Sequence, residues 1–166
     1  METGLFIACA ALTAACALIA VYFMKAFREK TYARAAILKT AAGLCFLMIG
    51  VLFAAGMSGD KRFAWLVAAG LAFGVLGDLL LALRYLSKKT HDLCFVSGTL
   101  AFFAGHVLYI LAVLTAAPRA WTYAIPITLV ALAVAGFYSH AMEVKAGKIM
   151  PLGVIYIGCV IFVAAC

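Results

Sequence analysis

Of 166 residues, 69% are hydrophobic and only 11% are charged, where a soluble domain sits near half apolar. With a mean hydropathy of +1.19 the chain reads as a membrane protein, and both disorder and a soluble core are excluded. The charge is basic, 13 Lys+Arg against 6 Asp+Glu. In a soluble chain that surplus would raise nucleic acid as a partner; here the cations fall almost entirely in short gaps between apolar runs, where they set topology and meet anionic lipid headgroups, so no nucleic-acid partner is expected.

The first apolar run is 4–24. It follows an acidic start, METG, and its cations come after it, the reverse of a cleaved signal peptide, so it is predicted to be a retained membrane helix. Runs at 35–56, 63–83, 93–115, 121–142 and 151–166 follow. Each is close to the ~20 residues needed to cross ~30 Å of hydrocarbon, the last being the shortest. The predicted fold class is all-α: a polytopic transmembrane helix bundle of six spans, one domain over 1–166, with short gaps that make neighbouring helices antiparallel. The loop cations alternate. Lys25, Arg28, Lys30, Arg34, Lys39, Arg84, Lys88, Lys89, Lys145 and Lys148 fall on one side, against Lys61, Arg62 and Arg119 on the other. The richer side is predicted to be cytoplasmic and the N-terminus outside. The expected localisation is integral and multi-pass, in the inner membrane of a bacterium or the endoplasmic reticulum of a eukaryote.

Cys9, Cys16, Cys45, Cys94, Cys159 and Cys166 form no CxxC pair and no Cys/His cluster. They read as small hydrophobes, and neither a metal site nor a cofactor is expected. Glu143, Lys145 and Lys148 read as a solvated loop, and Trp121 with Tyr123 as an interfacial anchor.

Asp78 is the one charge within 63–83. Gly70, Gly74, Asp78 and Ala82 recur every four residues and share a helical stripe, which turns the acid toward a neighbouring helix. At ~1.5 Å per residue it lies ~8 Å inside the cytoplasmic edge. Lys39, Ser97, Tyr138, His140 and Tyr156 come to a similar depth on four other helices, so a polar layer ~6–9 Å deep is predicted, the lining of a pocket. In the fourth run Gly98, Phe102, Gly105, His106 and Tyr109 share a broad face. His106 is ~12 Å deeper than Asp78, too far for a direct hydrogen bond, though both can line one elongated cavity.

Three stretches, ILKTAAGLCFLMIG (37–50), LAFGVLGDLLLAL (71–83) and FVSGTLAFFAGHVLYI (95–110), together resemble the YhhN family of membrane proteins, whose characterised members are lysoplasmalogenases. The likeness runs from about residue 35 into PLGVIYIGCVIFVAAC. Two departures stand out: Thr40 follows Lys39 where many relatives have proline, and the family generally has eight helices, with a Ser-Asp pair in its last part. The expectation is therefore a C-terminally truncated member that lacks the second acidic motif.

The resemblance implies hydrolysis of the vinyl-ether bond of lysoplasmalogens to a fatty aldehyde and a glycerophospho-base. Such ethers react once the alkene carbon is protonated, which calls for a proton donor, a negative group to stabilise the oxocarbenium ion, and a water. A carboxyl in a low-dielectric site can keep its proton near neutral pH. Asp78 and His106 are the candidate catalytic residues, and Lys39, Ser97 and Tyr109 the candidate substrate contacts, Lys39 toward the phosphate. Competing readings are a plain Lys39–Asp78 ion pair, a hydrogen-bonded packing role for His106, and a Tyr109 that only satisfies backbone. At the level of function the rivals are a small transporter or channel with Asp78 as its proton or cation site, and a helical assembly subunit without a polar cavity. The lysophospholipid and the bilayer are the expected partners.

Overall fold

The structure, a computed structural model, describes residues 2–58, 60–86, 89–141 and 150–165; the side chains at 2, 137–141, 150–153 and 155 lie outside that description. Six helices make up nearly all of it: α1 (Glu2–Arg28), α2 (Tyr32–Gly56), α3 (Arg62–Leu83), α4 (His91–Ala116), α5 (Trp121–Ala141) and α6 (Met150–Ala165). The all-α class holds, with helix ends displaced by a few residues from the predicted runs. α1 to α4 are long and apolar enough to cross a membrane, while the apolar stretches described within α5 and α6, 121–136 and 156–165, are shorter. α5 runs through Pro126 as one helix, and α2 runs through Thr40, whose hydroxyl donates to the Ala36 carbonyl at 3.0 Å.

Side chains are sorted the opposite way from a soluble domain. The buried hydrophobics are Cys16 and alanines such as Ala54, Ala68, Ala101 and Ala112, whereas Phe6, Leu18, Ile37, Trp65 and Leu129 are exposed. Lipid tails are as apolar as leucine, so nothing drives large side chains inward, and helices meet instead over small residues that let their backbones approach. α3 and α4 show this best. A Cβ on Gly105 would lie 2.9 Å from the Gly70 carbonyl oxygen, and one on Gly98 3.2 Å from that of Gly77. Gly70 carries the Tyr109 ring and Gly77 the Phe102 ring. The close-approach stripe is thus Gly70 and Gly77, seven apart. This revises the predicted four-residue stripe, because Gly74 faces open space.

α2 meets α3 in the same manner, with Gly50 against Ala68 and Leu71 and Gly43 against Val75. α1 packs on α2 through a tight turn. There Lys30 takes a left-handed backbone, φ 58°, and Thr31 donates to the Ala26 carbonyl from both its backbone N–H and its hydroxyl, at 3.0 and 2.9 Å. This closes the last helical carbonyls in the way a C-terminal glycine usually does. Sequence neighbours pack together from α1 through α4, as predicted. Beyond that the order changes: among the described residues α6 packs on both α4 and α5, so α6 comes between two helices that adjoin in sequence.

Candidate functional site

The α2–α3 register produces the central feature. Gly50 lies opposite Ala68 and Gly43 opposite Val75, and one further turn along this antiparallel pair brings Lys39 opposite Asp78. Lys39 Nζ and Asp78 Oδ1 are 2.8 Å apart, with the side chains 35% and 25% exposed. Asp78 therefore turns to a neighbouring helix, and the ion-pair geometry named above as a competing reading is realised. The pair is only partly shielded, which places it between surface pairs worth ~0–1 kcal/mol and buried pairs whose rupture costs ~3–5 kcal/mol.

Beside Lys39 opens a cavity of about 200 Å³, whose walls include Phe23, Phe27, Tyr32, Arg84 and Tyr85. Three helix ends converge there. Phe27 closes α1, Tyr32 opens α2 and Tyr85 follows α3. Tyr32 and Tyr85 stack with ring centroids 5.4 Å apart, and Phe27 sits edge-on to both, at 5.9 and 5.7 Å. The site is thus an aromatic-walled pocket with cationic heads, reached from the end of the bundle that carries Lys25, Arg28, Lys30 and Arg34.

A second cavity, about 160 Å³, lies between α3, α4 and α6 and is lined by Gly70, Gly74, Phe102, His106, Tyr109 and Tyr156. The open face of Gly74 gives it room. His106 Nδ1 is 2.8 Å from the Phe102 carbonyl. A carbonyl only accepts, so Nδ1 is the protonated nitrogen and Nε2 keeps its lone pair in the neutral ring. Tyr156 packs edge-on to His106 at 5.0 Å and to Phe102 at 6.4 Å, and Tyr109 packs on His106 at 5.8 Å.

The glycine pairs of α3 and α4, 70 with 105 and 77 with 98, also set the depths. In that register Asp78 is level with Ser97 and His106 with Ala69, about 13 Å apart along the axis at ~1.5 Å per residue. The predicted separation therefore stands: Asp78 and His106 do not meet. Ser97 is half-buried at the level of the acid, and among the described residues no partner takes its hydroxyl. The side chains of Tyr138 and His140, and Glu143, Lys145, Lys148 and Cys166 altogether, lie outside the described residues.

Two features went unread in the sequence as site components. Arg84 was assigned to topology, yet it lines the Lys39 cavity. Phe27, Tyr32 and Tyr85 carry no motif; their signal is that each stands within a turn of a helix end on the same side of the bundle, within two residues of a cation. Chemically the arrangement offers a carboxylate held by an amine at the rim of one hollow, and a histidine with one open nitrogen in the next. No curated protein and no solved structure matches the chain. Residues 34–166 match the YhhN family, and the chain belongs to that family of membrane proteins.

Proposed function

We propose that the protein is a membrane hydrolase that cleaves the vinyl-ether bond of lysoplasmalogens, releasing a fatty aldehyde and a glycerophospho-base, with all six helices spanning and the N-terminus outside. The observation that supports it most directly is the 2.8 Å Lys39–Asp78 pair beside a cavity. In a lysoplasmalogen only the three glycerol carbons separate the phosphate from the enol ether. A cation that holds the phosphate must therefore stand one short step from the acid that protonates the alkene, and Lys39 stands there.

An acid that acts by giving up a proton must first hold one. In the resting pair Lys39 Nζ lies 2.8 Å from the Asp78 carboxyl. An arriving phosphate competes for that amine, which frees the carboxyl to carry the proton it delivers. Asp78 then delivers that proton to the outer alkene carbon while the ether oxygen's electron pair forms the C=O⁺ bond. Water adds to the adjacent carbon and its proton goes to the Asp78 carboxylate. The resulting hemiacetal collapses to aldehyde and the free glycerol hydroxyl. The alkyl chain continues toward the second cavity, along the Tyr156 ring to His106 and Tyr109.

The test is incubation of purified full-length protein with a lysoplasmalogen and, separately, with a saturated acyl lysophospholipid. Aldehyde from the first and no fatty acid from the second is expected, and Asp78→Asn should abolish the aldehyde. Fatty acid from the second would indicate ester hydrolysis, and undiminished aldehyde from the Asn variant would remove Asp78 from the chemistry.

A further inference from the structure

Arg84 caps the end of α3 and lines the Lys39 cavity, yet the reaction above does not use it. Its guanidinium carbon lies 4.6 Å from the Tyr85 ring centroid and 5.3 Å from that of Phe95, and its terminal nitrogen donates to the Tyr85 hydroxyl. Those contacts hold the head in place. They leave Nε buried with no hydrogen-bond partner among the described residues, so the protein does not take up the full donor capacity of the guanidinium. The nearby carboxylate is already engaged: Asp78 pairs with Lys39 at 2.8 Å, and among the described residues Arg84 forms no ion pair. Two cations against one anion leave this corner with a net positive charge. The aromatic walls, Phe23, Phe27, Tyr32 and Tyr85, favour a ligand whose anionic group is flanked by apolar chain. A volume of about 200 Å³, several times the ~30 Å³ share of a liquid water, leaves room for it.

We propose that this cavity receives the phosphate of a single-chain phospholipid, with Arg84 as the principal phosphate ligand and Lys39 as the second. As a substrate subsite it rests on the vinyl-ether reading; as a site for a lipid phosphate it does not. Arginine suits the task because its planar fork presents several N–H groups to one phosphate, and stacking on Tyr85 and Phe95 orders it before the ligand arrives.

The experiment is equilibrium binding to the full-length protein in nanodiscs, using radiolabelled 1-O-alkyl lysophosphatidylethanolamine. Its saturated ether cannot be hydrolysed by alkene protonation. Competitors are 1-O-alkylglycerol, which lacks the phosphate, and inorganic phosphate. The lysophospholipid should bind about tenfold or more tightly than the alkylglycerol, Arg84→Gln should erase most of that preference, and Arg84→Lys should keep part of it. Equal binding of the phosphate-free lipid, or an unaltered preference in a folded Arg84→Gln protein, overturns the proposal. Displacement by inorganic phosphate at the concentration of the lipid also overturns it, by making this a free-anion site. The comparison of ligands on the unsubstituted protein needs no variant to fold. Because no ligand carries a vinyl ether, tight binding alongside absent aldehyde release would sink the hydrolase reading and leave this one standing.

Discussion

The two cavities share helix α3 and differ in almost everything else. Toward its C-terminal end α3 contributes Asp78, Leu81, Ala82 and Arg84 to a region of fixed charge walled by aromatic rings. Two to three turns away it contributes bare glycine, at 70 and 74, to a hollow whose polar groups are a histidine and two tyrosine hydroxyls. Charge in the first is affordable because it sits near the bundle's end, where cationic heads still reach water, whereas an unpaired charge at the depth of His106 would be expensive. On the proposed function, labour is divided along one helix: phosphate, proton and water at the charged end, alkyl chain at the neutral one. Tyr156, supplied by a helix distant in sequence, walls the second cavity.

The strongest attempt to break that division is a charge swap, Lys39→Asp with Asp78→Lys. It restores an opposite-charge pair across α2 and α3 while moving the carboxyl to the other helix. Melting in detergent should stay near the unsubstituted value while aldehyde release falls by ~10²–10⁴, the usual worth of a positioned general acid. Retained turnover would make the pair a packing device.

The glycines provide the next largest contrast. Gly105→Leu drives a side chain into the Gly70 carbonyl, 2.9 Å from where its Cβ would sit, whereas at Gly74 nothing lies within 4 Å. The first should cost ~1–3 kcal/mol or more of stability through overpacking. Gly74→Leu should leave melting nearly unchanged but fill the second cavity and lower turnover of long-chain substrate. If both substitutions melt alike, the α3–α4 register is wrong.

A smaller effect is expected at Tyr156. Tyr156→Leu removes the ring's contact with His106 and Phe102, and a several-fold rise in KM with little change in kcat is expected, since a contact made equally in ground and transition states shows in KM. A fall in kcat alone would assign it to the chemical step instead. The smallest effect lies outside both cavities. Lys30→Gly relieves a left-handed backbone that costs a residue with a Cβ ~1–2 kcal/mol, so a slightly raised melting temperature with unaltered kinetics is expected.

How much of this was legible in advance differs by level. The six apolar runs could be read directly because lipid acts on each segment separately: a helix in hydrocarbon satisfies its own backbone, so length and composition suffice. Lys39 and Asp78 stood out for the same reason, since a charge in an apolar run is conspicuous whatever its surroundings. Arg84, Tyr32 and Tyr85 did not, because cations and aromatics at helix ends are the ordinary furniture of a membrane interface. Only their convergence distinguishes them.

What the amino-acid order determined alone is the all-α class and the apolar segments, both consequences of one helix meeting one solvent. Tertiary structure decided the rest: that Gly70 and Gly77, rather than the four-residue repeat, form the seam with α4; that α6 comes between α4 and α5 and delivers Tyr156; and that the amine of α2 meets the acid of α3. Those outcomes depend on the register between helices, which is set by where small residues permit two backbones to touch, a property of pairs that no single segment carries.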